Sequence, residues 1–219
     1  MSSIFGRKIP KKFSLAKKQK IFHSPYFFND DYNFEIIDLF FSLYDFYELE
    51  IGFGAGENLM AQAKLKPNTG FIACDPHLRG HIEVLKFIEN SNVKNIILSD
   101  LCFQNLKKFL KSKISLVYIL FPDPWPKKKH NKRRLINNFF VEELEKIVEP
   151  LGNVLISSDN FEYIDQINRS FTGSSFLKIE FKESSNTIFN NLGIVKTKYY
   201  LKALSNGCNP KFIHFKKNP

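Results

Sequence analysis

Five short apolar runs in this chain each stop at or beside a carboxylate, and a segment with helical spacing follows every one. The runs are Tyr47 to Ile51 with Glu50, Gly70 to Cys74 with Asp75, Asn95 to Ser99 with Asp100, Leu116 to Phe121 with Asp123, and Gly152 to Ser157 with Asp159. The intervening helical patterns cover residues 57–66, 78–89, 103–110, 135–148 and 161–171. Short apolar strands alternating with amphipathic helices build βαβ units around a parallel sheet buried on both faces. In the last third, Phe176 to Phe181 and Val195 to Leu204 read as two strands without a helical segment between them, predicting an antiparallel pair at the sheet edge. The expected fold is therefore α/β and Rossmann-like: a mostly parallel twisted sheet with an antiparallel C-terminal strand pair and helices on both faces. In such a sheet ligands sit outside the carboxyl ends of the strands. A single acid there can equally well cap the following helix; five in five describe an acid-rimmed crevice.

With 219 residues, 43% of them apolar, the chain can fill a core without disulfide or metal staples. A formal charge of +10 favours a polyanionic partner. Much of that charge sits early: Met1 to Asn29 holds no acid, and seven Lys and Arg between Arg7 and Lys20 are interleaved with Phe5, Phe13 and Phe22. Residues 1–28 are expected to form a flexible basic arm that adds affinity, ahead of a single domain over 29–219. The segment lacks the apolar stretch of a secretory signal, and it is Lys-rich where a mitochondrial transit peptide is Arg-rich. No apolar run approaches a membrane span in length. Cys74, Cys102 and Cys208 form no CxxC pair and cannot all pair with one another, which suits a reducing, cytoplasmic setting and speaks against a zinc knuckle.

The loop after the first run reads Glu50-Ile51-Gly52-Phe53-Gly54-Ala55-Gly56-Glu57. Its glycines allow a tight turn and close backbone approach to a ligand. A dinucleotide fingerprint needs glycine where Glu57 stands, and an acid at a helix start repels a pyrophosphate. Asp75 lies 21 positions past Gly54, where a carboxylate accepts from ribose hydroxyls. A nucleoside carrying a cationic group meets both conditions, and S-adenosylmethionine is such a molecule. His77 and His81 have i, i+4 spacing, but Gly80 lies between them and no zincin-type Glu accompanies them, so both are read as helix-surface residues with no metal expected. Cys74, inside a strand, is read as core.

The fourth run continues as Phe121-Pro122-Asp123-Pro124-Trp125-Pro126, then Lys127-Lys128-Lys129-His130-Asn131-Lys132-Arg133-Arg134. Three prolines in five positions fix an extended elbow carrying Asp123 and the chain's single Trp. The basic run behind it reads as a phosphate-contacting patch that brings a nucleic acid to the site. Trp125 can stack on a base or simply pack the turn.

From about Tyr47 to Gly207, with EIGFGAGE, FPDPWPKKKHNKRR and TKY as they stand here, the chain resembles the tRNA (guanine-N7)-methyltransferase family. The resemblance implies transfer of a methyl group from S-adenosylmethionine to a guanine in the tRNA variable loop. It implies that Glu50, Asp75, Asp100 and Asp123, with Gly52, Gly54 and Gly56, face the cofactor. It further implies that Asp123, Lys127, Asp159 and the segment Thr197-Lys198-Tyr199-Tyr200 serve the guanine and its tRNA. Asp123 is the residue expected to orient the base, with Asp159 second to it. Departures from the family pattern are Tyr200 where the family has Glu, Gly193 to Lys196 without the usual Arg-Pro, and Ser158-Asp159-Asn160 for Thr-Asp-Trp. Two other functions remain open on sequence: a tRNA-binding protein of the same fold with reduced or no turnover, and an amino-group methyltransferase. The latter is disfavoured by Pro126 and the basic run.

Overall fold

A computed structural model of the chain describes residues 13–33, 35–110, 114–180 and 194–219. By its internal contacts the chain divides into two compact units, residues 1–112 and 113–219, each with an apolar cluster of its own.

The first unit contains α1 (Leu15–Phe22), β1 (Phe27–Phe28), α2 (Glu35–Phe40), β2 (Phe46–Ile51), α3 (Glu57–Leu65), β3 (Thr69–Cys74), α4 (Arg79–Glu89), β4 (Ile96–Ser99) and α5 (Phe103–Leu106). Its four strands are parallel, with β4 between β1 and β3 and β2 on the far side of β3. Ile51 pairs with Cys74, Cys74 with Ser99, and Ser99 with Phe28. All four strands therefore stop level, and the residues just past them (Gly52, Asp75, Asp100 and Asn29) share one edge. Leu59, Phe71, Leu85, Ile88 and Leu98 are among the residues filling the cluster between strands and helices.

The segment expected to form the basic arm is described from Phe13 onward. Residues 1–12 lie outside the described residues, but Ser14 caps α1 by accepting from Lys17 N, and Ile21 is fully buried in the cluster with Phe27. Lys20 Nζ reaches Glu89 Oε2 at 2.6 Å. The apolar residues interleaved with the lysines supply a buried face, and burial orders the segment.

The second unit contains β5 (Ile114–Leu120), α6 (Asn138–Ile147), β6 (Val148–Ser158), α7 (Phe161–Phe171), β7 (Phe176–Ile179), α8 (Lys198–Ser205) and β8 (Lys211–Lys217). β5 and β6 are parallel, while β8 runs antiparallel to both β6 and β7. The antiparallel C-terminal pair is present, but its second strand is β8, and Val195 to Leu204 is not a strand. Thr197 Oγ1 accepts from Tyr200 N and starts a helix there, with Tyr200 and Ala203 buried one turn apart. Among the described residues, no helix is long and apolar enough to cross a membrane.

Candidate functional site

The edge of the first unit gathers three carboxylates that are at least nine-tenths buried. Glu50, 4% exposed, accepts from Asn58 Nδ2 at 3.0 Å. Asp75 Oδ2 accepts from Gly54 N at 2.9 Å, tying the glycine loop to the end of β3. Its Oδ1 accepts from His77 N at 2.8 Å and lies 3.1 Å from His77 Nδ1. Asp100 Oδ1 accepts from Asn29 Nδ2 at 3.1 Å, and Asn29 Oδ1 in turn accepts from Asp31 N and Tyr32 N. Burial pushes the Glu50 carboxyl up to about 8; the Asn58 hydrogen bond opposes this, and Glu57 and Asp75 reinforce it. Glu50 is therefore largely protonated at neutral pH while nothing cationic is beside it.

The loop turns through left-handed backbone at Gly52, Gly54 and Gly56. Gly80, inside the first turn of α4, is required by packing: a Cβ there would stand 1.6 Å from the Gly54 carbonyl oxygen and 3.2 Å from the Phe53 ring. Gly80→Ala is expected to cost about 3 kcal/mol or more, because neither backbone nor a buried ring yields cheaply. Chemical denaturation measures it; a loss under about 1 kcal/mol would mean that the loop can move aside.

His81 is not a surface residue as the sequence suggests. It is fully buried, edge-on to Phe53 at 4.9 Å and Phe27 at 5.7 Å, and burial holds its pKa below the usual range. His77 is the exposed member of the pair. Among the described residues no group of three His, Cys, Asp or Glu is placed to hold a metal ion. Cys74 is buried in β3, and burial raises its thiol pKa.

The second unit carries the elbow. Phe121 N donates to Ser157 O at 3.0 Å as β5 ends, and the turn is bracketed by Phe121 at φ +53° and Trp125 at φ +42°. Left-handed backbone at two aromatic residues is strained by about 1–3 kcal/mol each and persists only where the surroundings enforce it. Arg134 is one such enforcer. Its Nε donates to Pro124 O at 2.7 Å, its Nη1 to Gln166 Oε1 at 2.8 Å, and its guanidinium lies 5.1 Å from the Tyr163 ring centre. Tyr163 OH accepts from Ile136 N, and Gln166 Nε2 donates to Ile136 O, so α7 grips the C-terminal end of the basic run. Trp125 has Arg133 over its ring at 4.9 Å and His130 edge-on at 5.8 Å, contacts that favour its packing role.

Asp123 at the tip of the elbow is exposed, as is Lys127; Asp159 is half-buried between β6 and the Asn160 cap of α7. At α8 the four residues diverge. Thr197 is the cap, Lys198 and Tyr199 face outward, and Tyr200 packs against Phe121 and Phe212. Where the family pattern has a carboxylate, this chain thus has a ring supporting the elbow from behind. Asn29, Asn58, Arg134 and Gln166 are the site residues that sequence reasoning did not single out. Arg134 alone carried a signal, as the end of a charge run entering the apolar pair Leu135-Ile136.

A family model described as "Putative methyltransferase" matches residues 46–212. A tRNA (guanine-N(7)-)-methyltransferase of Wolbachia pipientis wMel is 41% identical over 120 residues, 54% of each chain. One from Rhodopseudomonas palustris (strain BisA53) is 30% identical over 172 residues, 78% of this chain and 69% of that one. The chain spans about half the length of the first curated relatives it matches. Among solved structures, the 16S rRNA methyltransferase KamB is 13% identical with a TM-score of 0.61, covering 88% of this chain and 95% of that one. At that identity the likeness is one of fold.

Proposed function

Because the chain belongs to the tRNA (guanine-N7)-methyltransferase family, we propose that it transfers a methyl group from S-adenosylmethionine to N7 of a guanine in the tRNA variable loop. The residues fit such a donor. Glu50, Asp75 and Asp100 are acceptors for an ammonium group and ribose hydroxyls, and the position a Cβ would take on Gly52 has nothing within 4 Å. The donor supplies an electrophilic methyl group on a sulfonium centre.

Guanine N7 offers an in-plane lone pair and carries no proton, so no residue of the chain has to act as a general base. The work left to the protein is alignment and exclusion of water. Asp123 accepts from the two donors on guanine's Watson–Crick edge, an arrangement adenine cannot match. As the new N–C bond forms, positive charge develops on the purine and its N1–H becomes more acidic. The hydrogen bonds to Asp123 therefore strengthen in the transition state, which is where they accelerate the reaction. Asp159 assists in recognising the base. Lys127, Lys198 and Tyr199 engage the RNA, while Thr197 and Tyr200 hold the segment that presents them. The basic N-terminal segment adds electrostatic affinity, and the reaction takes place in the cytoplasm, where the three free cysteines stay reduced.

The observation that carries this reading is the row of buried carboxylates Glu50, Asp75 and Asp100 level with a glycine loop. Its test is nucleoside mass spectrometry of unmodified tRNA incubated with protein and methyl-labelled donor. Labelled 7-methylguanosine is the expected product. Label on exocyclic amines would reassign the reaction, and RNA binding without any label would leave only a binding protein.

A further inference from the structure

Beside the elbow, the 3₁₀ segment Lys128–Arg133 and α7 border a cleft of about 410 Å³, lined by Lys128, Asn131, Arg134, Glu162, Asp165 and Arg169. Glu162, Asp165 and Arg169 stand at i, i+3 and i+7 of α7, on one face of the helix. Two polar groups of the lining are left over by the fold. Arg134 is 2% exposed and spends Nε and Nη1 on Pro124 and Gln166, but its buried Nη2 makes no hydrogen bond and has Glu162 Oε2 3.6 Å away. The buried Asn131 Oδ1 has no hydrogen-bond partner either. The first, ion-paired with Glu162 but not hydrogen-bonded, can take a closer acceptor; the other needs a donor.

The lining adds two more cations, Lys128 and Arg169, and two carboxylates, Glu162 and Asp165. A bare phosphate would satisfy the cations, yet it would face the two acids and leave Asn131 unmet. A phosphate carrying a ribose answers the whole set: its oxygens accept from Arg134, Lys128 and Arg169, and a sugar hydroxyl donates to Asn131 or to a carboxylate. We propose that this cleft is a ribose-phosphate subsite for the RNA backbone, in which Asp165 and Asn131 read the 2′-hydroxyl. The inference rests on the tRNA-binding reading above and adds to it a point at which RNA is told from DNA.

Arg169→Ala and Asp165→Ala test it, since both side chains are exposed and their loss is compatible with folding, as thermal melting would verify. Fluorescence anisotropy of the full chain, over a salt series, compares a short variable-arm RNA hairpin with its all-2′-deoxy counterpart. Arg169→Ala is expected to weaken both about tenfold and to reduce the salt slope by about 1. Asp165→Ala is expected to lower the preference for RNA over DNA about fivefold, the worth of one hydrogen bond. A purely electrostatic rim would instead have Asp165→Ala tighten RNA and DNA alike. That result, or an unchanged salt slope in Arg169→Ala, would overturn the proposal. If the intact chain binds and discriminates RNA but yields no 7-methylguanosine, the enzymatic reading fails and the subsite stands. If it methylates tRNA while the RNA to DNA ratio is unmoved by Asp165→Ala, the subsite alone fails.

Discussion

Asp123→Ala is expected to reduce the single-turnover rate of methyl transfer to tRNA by about 10³-fold, with saturating RNA and donor. The side chain is exposed, and prolines on both sides hold the backbone whatever residue stands between them. The loss should therefore fall on the rate, with the melting temperature moving by no more than about 2 °C. Asp123→Asn sharpens the test. It keeps the shape, but its amide turns one of the two acceptors into a donor facing the donors of guanine, so it should be nearly as slow as alanine. Rapid-quench measurement with labelled donor reads both. A rate within about tenfold of the parent for Asp123→Ala would remove this residue from the base-orienting role.

The second large effect is a proton. Glu50 is held largely neutral at pH 7 by burial, with its pKa near 8. A cationic ligand placed beside it restores the ordinary order and ionises it, so binding of the donor should release close to one proton. Affinity should accordingly rise about tenfold per pH unit from 6 towards 8 and level off above that. Titration calorimetry in two buffers of different ionisation enthalpy counts the proton directly. Glu50→Gln keeps an acceptor for Asn58, loses the pH dependence, and should bind about 10²-fold more weakly at pH 8.5. The same group acts on stability with a definite sign. Its folded pKa lies above its unfolded value of 4.5, so its contribution is complete below pH 4.5 and is lost as pH rises through about 8. The ligand-free protein should thus melt lower at pH 8.5 than at pH 6, by the equivalent of a few kcal/mol, and Glu50→Gln should flatten that slope. No proton release in calorimetry would mean that the donor's charge lies away from Glu50.

Strand ends were the legible part of this chain. An acid at the end of a short apolar run announces itself by composition alone, as Glu50, Asp75 and Asp100 do. Residues that hold the site were harder to see because their sequence neighbours disguise them. Arg134 sits in a run of six cations that reads as a phosphate-contacting patch, yet a fork of hydrogen bonds to Pro124 and Gln166 draws it inside. Asn29 follows a two-residue strand too short to give a periodicity, and only that strand's pairing with β4 brings it beside Asp100. Val195 to Leu204 misled through local propensity: its β-branched and aromatic residues suit a strand, but Thr197 works as a cap and the tertiary setting prefers a helix. The early lysines similarly concealed Ile21, which is fully buried in the apolar cluster of the first unit.

On the proposed reading, in which the elbow receives guanine, the left-handed backbone at Phe121 and Trp125 bears on how that base is welcomed. A loop frozen in an uncommon shape has little freedom left to surrender when a guest arrives, so docking a purine against it needs no further ordering of the chain. The same stiffness would make the elbow intolerant on that reading: a nucleobase of the wrong outline would meet a fixed wall, and shape would contribute to discrimination.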